Sequence, residues 1–184
     1  RFSGTYMDGD ARQGAFLGKL SATIASVQLL VLSGNMGMLV MAWILTSLTL
    51  HELLVFYRER RGAVIAARKK FVAARIGDAA LIGAAALLFQ QFGTGDLEAI
   101  FNGLQAMPAG ALPATVEGAA ALIDVAAILK SAQFPTHSWL VEVMETPTPV
   151  SALLHAGILN AGPFLAVRLS FVLENATVAP LLLI

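Results

Sequence analysis

Six ionisable residues stand inside otherwise apolar stretches of the chain: His51, Glu52, Asp78, Asp124, Lys130 and His155. Such groups cost about a few kcal/mol each when taken out of water and are candidates for a functional role wherever they occur. Lys130 is the most informative. Ser131-Ala132-Gln133-Phe134-Pro135 follows it directly, and a proline removes a backbone donor and disturbs the turn before it. A lysine beside a helix broken near Pro135 places an ammonium next to unpaired carbonyls, a setting that holds water and ions. Such a lysine can load and release a proton. The alternative is a lysine ion-paired for assembly alone.

The other five groups have plainer alternatives beside the chemical one. Asp78 follows Arg75 by three residues on one helical face, so a local ion pair is available to it. Glu52 precedes Arg58 and Arg60, where an ion pair near the membrane surface costs little. His51 suits either a hydrogen-bonded interior position or a proton carrier. Asp124 and Lys130 are six residues apart, about 120° around a helix, so each is expected to seek its partner on another helix. His155 lies in the second turn of a helix that opens at the proline-rich run Glu145 to Ser151, a position where prolines are tolerated. If that helix packs against the one carrying Lys130, the two form a relay.

Several familiar chemistries are excluded. His51-Glu52 opens the zinc pattern HExxH, but position 55 is Val, so the second ligand is missing. Three histidines in separate segments give no metal site, and zero cysteines remove thiolate chemistry and disulfides. Gly93-Thr94-Gly95 lacks a third glycine and a preceding strand, so no dinucleotide loop is supported. Asn175-Ala176-Thr177 fits a glycosylation sequon, a pattern frequent by chance. No cofactor and no catalytic chemistry of the chain's own are expected.

These groups need elements to hold them, and the composition names the solvent. Of 184 residues, 57% are hydrophobic and 13% charged, with a net charge of zero. Soluble domains carry about 25% charged residues. A nucleic-acid partner would demand an excess of Lys and Arg, and disorder would demand less apolar content. The expected fold is therefore an all-α, polytopic transmembrane bundle, with the lipid bilayer as its first partner. A bilayer core of about 30 Å takes roughly 20 apolar residues per helix. Five stretches fit: Phe16 to Leu32, Met36 to Tyr57, Phe71 to Phe92, Val116 to Gln133 and Pro149 to Leu173. A Pro- and Gly-bearing link, Gly103 to Pro113, joins the third to the fourth, and a sixth span begins at the C-terminal edge. With Arg1 at one end and the apolar Leu181 to Ile184 at the other, the chain reads as an internal piece of a single larger transmembrane domain. Gly14 and Gly18 form a GxxxG pair that chance explains as well as packing does.

Charge orients the bundle. Seven of the twelve Lys and Arg are Arg58, Arg60, Arg61, Arg68, Lys69, Lys70 and Arg75, so the loop between the second and third spans is expected on the cytoplasmic side. Arg1, Arg12 and Lys19 at the N-terminal edge agree, since two spans separate them from that loop. The link from Asn102 to Glu117 holds no Lys or Arg and belongs on the opposite side.

Two runs carry a specific resemblance: Lys130-Ser131-Ala132-Gln133-Phe134-Pro135-Thr136-His137-Ser138-Trp139-Leu140, and Met144 through Ala156 with its Thr146-Pro147-Thr148-Pro149 core. With Arg75-Ile76-Gly77-Asp78 and Phe92-Gly93-Thr94, they resemble the antiporter-like membrane subunits of respiratory NADH dehydrogenase (subunit 5, or subunit L in bacteria) and their Mrp antiporter relatives. The resemblance covers nearly the whole chain. It implies that Lys130 is the central proton-carrying lysine, His155 a histidine of the connecting relay and Asp78 the aspartate of the RxGD stretch. In the respiratory subunits a glutamate follows the tryptophan of the second span and tunes that lysine; here Trp43 is followed by Ile44. His51, seven residues further along the same face, and Asp124 are possible substitutes.

Met7-Asp8-Gly9-Asp10, Ala42-Trp43, Leu50-His51, Arg68 to Phe71 and Asn160-Ala161-Gly162 are more similar to a side branch. That branch is the DabB-type membrane subunit of bacterial inorganic-carbon uptake complexes, whose soluble partner resembles a β-type carbonic anhydrase. The resemblance implies a bacterial inner-membrane subunit that conducts protons, or Na⁺, and couples the gradient to bicarbonate or CO₂ uptake. Membership of a respiratory complex, with its other subunits as partners, and a non-conducting scaffold are the alternatives.

Overall fold

The structure, a computed structural model, describes residues 2–56, 61–107, 112–133, 148–156 and 158–176. Among them are nine α-helices and no strand. They are α1 (Phe2–Tyr6), α2 (Gln13–Leu32), α3 (Met36–Leu54), α4 (Arg61–Phe92), α5 (Leu97–Gln105), α6 (Ala114–Lys130), α7 (Thr148–Ala156), α8 (Ala161–Arg168) and α9 (Ser170–Asn175), with a 3₁₀ turn at Ile158–Asn160. Three helices contain a stretch long and apolar enough to cross a membrane: Gln13–Leu32, Met36–Leu54 and Ala67–Phe92.

The long hydrophobic helices follow the expected pattern, with two differences in extent. α4 begins at Arg61, well before the expected Phe71. The residues between, rich in Ala, Arg and Lys, are strong helix formers, so the helix runs past the apolar limit that hydropathy alone detects. The expected fifth span is not one helix but α7, a 3₁₀ turn, α8 and α9 in succession. Pro163, in the first turn of α8, has no N–H to donate back toward Leu159, so the α-helical ladder cannot run through the 3₁₀ turn. α6 has 17 residues and is about 25 Å long at 1.5 Å per residue. α5 lies between the expected third span and the fourth and overlaps the start of the Gly103–Pro113 link; Asp96 caps it by accepting from the Ala99 N–H at 3.0 Å.

Helix pairing places the site. At one end of the bundle, the α2–α3 turn is tied to the α4–α5 turn. The Met36 N–H donates to the Gly95 carbonyl at 2.7 Å and the Leu97 N–H to the Gly34 carbonyl at 3.1 Å. Arg168 donates to the Ser33 carbonyl at 2.8 Å, bringing the end of α8 to the same place. α4 and α6 approach closely because small residues face large ones. Gly77 lies under Leu129, Gly83 under Leu122 and Gly118 under Leu87. Leu39, Trp43, Leu81, Leu88, Ile123 and Leu165 fill the larger core between α3, α4, α6 and α8. Phe16, Leu50, Leu53, Leu54, Val150 and Leu154 form a second core toward the other end.

Candidate functional site

α6 stops at the residue that matters. The Ser131 N–H still reaches the Ala127 carbonyl at 3.0 Å, but Ala132 turns into the left-handed region at φ 52°, and the Gln133 N–H folds back to the Ile128 carbonyl at 3.3 Å. Such a reversal ends a helix and leaves Lys130 as its last residue. The helix thus ends at Ser131–Ala132, just after the lysine, while Pro135, the expected point of the break, lies outside the described residues. α8 comes in closely here: Gly162 sits against the Ser131 hydroxyl and the Ala127 carbonyl, where no side chain fits.

From that helix end the Lys130 side chain crosses to α3. Its ammonium donates to the Trp43 carbonyl at 3.1 Å and to the Ser47 hydroxyl at 2.5 Å, and lies 4.3 Å from the centre of the Trp43 ring. Lys130 is only 7% exposed. Cation–π contact, worth about 0.5–2 kcal/mol, and two oxygen acceptors offset part of the cost of burying the charge.

Ser47 has a second ligand. Lys70, on α4, donates to the Ser47 carbonyl at 3.0 Å and is 4% exposed. Two buried lysines therefore share one serine, Lys70 on its carbonyl and Lys130 on its hydroxyl. The counter-charge comes from Asp78, also on α4, whose carboxylate interacts with Lys130, Arg75 and Lys70 and lies beside the Trp43 indole. Arg75 approaches Asp78 to 2.6 Å, the local pair that their spacing suggested. This is a charge contact without hydrogen-bond alignment, and the Trp43 indole N–H is a further donor beside the carboxylate. The cluster brings three basic side chains, Lys130, Lys70 and Arg75, to one carboxylate.

The other candidates fall at different distances from this centre. His51, on α3, packs its ring 5.0 Å from that of Phe71 and interacts with Lys70, Glu52, Arg75 and the Ala67 backbone. It belongs to the Lys70 end of the cluster rather than to Lys130. Glu52 faces outward and pairs with Lys19 of α2 at 2.7 Å; Arg58 and Arg60, the partners expected from sequence, are outside the described residues. Asp124 is fully buried on α6, with neither oxygen hydrogen-bonded among the described residues and no charged group acting on it. The structure therefore puts Asp78, rather than His51 or Asp124, at the lysine. His155 stands on an exposed face in the last turn of α7 and is not among the groups acting on Lys130, which are Lys70, Asp78 and Arg75. No group of His, Asp or Glu among the described residues has the geometry to hold a metal ion.

Lys70 was missed from sequence because it sits in a run of loop-like cations, Arg68-Lys69-Lys70. The signal was its register. Ala67, Lys70, Ala74, Gly77, Leu81, Ala84 and Leu88 recur at alternating steps of three and four, so Lys70 lies on the stripe that faces the bundle.

The sequence pattern of the family described as "NADH:quinone oxidoreductase/Mrp antiporter, TM" matches residues 33–184. A "Probable inorganic carbon transporter subunit DabB" of Hydrogenovibrio crunogenus is 42% identical over 168 residues, 91% of this chain and 32% of that protein. The "NADH-quinone oxidoreductase subunit L" of Mycobacterium tuberculosis is 38% identical over 168 residues, 91% of this chain and 26% of that protein. The chain thus spans about a third or less of the length of these relatives. Among solved structures, a chain of the Mrp complex from Dietzia sp. DQ12-45-1b superposes with a TM-score of 0.81 at 35% identity, covering 91% of this chain and 18% of that one.

Proposed function

Because the chain belongs to the NADH:quinone oxidoreductase/Mrp antiporter membrane family and is part of a multi-pass membrane protein, we propose that it carries a proton-translocating centre built on Lys130. The observation that carries the reading is the buried contact of Lys130 with Ser47, beside a carboxylate, Asp78, that Lys130 shares with Lys70 and Arg75. A lysine that only fixed helix packing would need saturated partners. Here the hydrogen-bond acceptors are a hydroxyl and a carbonyl, the carboxylate is shared among three basic groups, and α6 ends at the lysine, so small shifts alter its surroundings. A proton suits this centre better than Na⁺. A metal cation would enter a cluster already rich in positive charge, whereas a lysine exchanges a proton without adding an ion.

The coupling we favour is to inorganic-carbon uptake in a bacterial inner membrane, with a soluble carbonic-anhydrase-like subunit as partner. Two features support it: the DabB-named relative at 42% identity, and Ile44 where the respiratory subunits carry a glutamate after the tryptophan. Service in a respiratory or Mrp-type complex is the second reading, favoured by the 38% identity to subunit L and the fit to an Mrp chain.

Affinity purification of the full-length protein from its native membrane separates the two. Carbon uptake predicts a zinc-containing soluble partner, and labelled bicarbonate accumulation in vesicles that a protonophore abolishes. Flavin and iron–sulfur absorbance in the purified complex would assign it to respiration instead.

A further inference from the structure

The cluster has an outer end that the translocation reading leaves without a role. A cleft of about 290 Å³ is lined by His51, Val55, Val64 and Arg68, at the end of the bundle where α4 carries its exposed cations. His51 lies between this cleft and the interior. Its ring contacts Phe71, its Nδ1 is buried with no hydrogen-bond partner among the described residues, and it interacts with Lys70. Lys70 meets Ser47, and Ser47 meets Lys130. Along α4, Lys70 and Asp78 are separated by about 12 Å of helix rise, so these groups form a column from the cleft toward the centre of the bundle.

We propose that His51 and Lys70 form the inlet limb of the translocation path, with Lys70 as a second proton-carrying lysine. This inference rests on the assignment of Lys130 as the translocating group. The neutral imidazole takes one proton from water in the cleft and hands one to the neutral Lys70 amine, which becomes an ammonium and leaves the imidazole neutral again. Lys70 and Lys130 act on each other as like charges and share Asp78 as counter-charge. The new charge on Lys70 therefore drives one proton off Lys130 to water on the far side, and the Lys70 proton then passes to the vacated Lys130 amine, which leaves Lys70 neutral for the next turn. One proton enters and one leaves, and the charge of the cluster is conserved. Like charges held by one residue oppose one another far more strongly in a low-dielectric interior than in water. Ser47 fixes that spacing, since it ligates both.

The test uses the full-length complex in liposomes, with an internal pH-sensitive dye and an imposed potential, after gel filtration has shown that each variant assembles. Lys70→Met is expected to lower the proton flux about tenfold or more, and Lys70→Arg equally, because arginine keeps the charge but does not release a proton. His51→Gln, at the cleft, is expected to lower flux severalfold and to reduce its solvent isotope effect. Near-wild-type flux in Lys70→Arg would show that Lys70 is a fixed structural cation and would overturn the inference, while leaving Lys130 in place. Unchanged flux in His51→Gln would overturn the inlet through the cleft, and it decides the matter if the Lys70 variants do not assemble. Wild-type flux in Lys130→Met, by contrast, would remove the translocation reading itself.

Discussion

Ser47 and Asp78 set the behaviour of the cluster more than their size suggests. Ser47 offers the only side-chain oxygen that hydrogen-bonds to Lys130 among the described residues. Ser47→Ala leaves a buried ammonium short of an acceptor, at a cost of about 1–3 kcal/mol. The expected outcome is a lower unfolding temperature for the assembled complex together with slower flux; an unchanged melting profile would show that the bond contributes nothing. Asp78→Asn removes the carboxylate that acts on Lys130, Lys70 and Arg75 together, and breaking such a buried arrangement costs about 3–5 kcal/mol. Asp78→Asn should therefore reduce the yield of assembled complex sharply, with Asp78→Glu recovering part of it. Lys130 and Asp78 could be singled out by type alone, as charges in apolar runs. Lys70 could not, because its neighbours Arg68 and Lys69 are exposed and only helical register separates it from them. Ser47 is one of several hydroxyls on α3, and which one meets a lysine is set by how α4 and α6 pack, a tertiary fact.

At the scale of elements, the site depends on where helices stop. α6 terminates at Lys130 and α8 starts against that end, with Gly162 filling a space too small for a methyl group beside Ser131 and Ala127. Gly162→Ala is expected to force the two helices apart and destabilise the complex by about 1–3 kcal/mol. Gly14→Ala, at a position with open space around it, is the matched control and should be close to neutral. Thermal unfolding of both variants in detergent checks the contrast, which disappears if α8 does not dock as described. A methyl group on Gly14 or Gly18 would meet nothing within 4 Å among the described residues, whereas Gly77, Gly83 and Gly118 make close helix contacts. Hydropathy located α2, α3 and the apolar part of α4 well, because length and apolar content decide whether a helix suits a bilayer. It failed at Pro149 to Leu173, where apolar content is high but Pro163 breaks the ladder; composition does not register a missing hydrogen bond.

For the whole molecule, the paired turns at Gly34 and Gly95 set one end of the bundle, and the exposed cations at the start of α4 mark the other. By the positive-inside rule, that end is the one expected to face the cytoplasm. Since this stretch contains no cysteine, single cysteines report its sidedness. Arg68→Cys should react with an impermeant thiol reagent only from the cytoplasmic side, and Glu98→Cys, on the exposed face of α5, only from the opposite one. Reaction of both from one side would contradict the arrangement. The central claim is that a proton crosses this bundle by way of Lys130. Its most direct test is the initial rate of proton uptake into liposomes containing the assembled full-length complex, wild type against Lys130→Met. The expected result is a loss of about a hundredfold or more, in line with removal of an essential proton carrier; an assembled Lys130→Met complex that transports protons at the wild-type rate would contradict it.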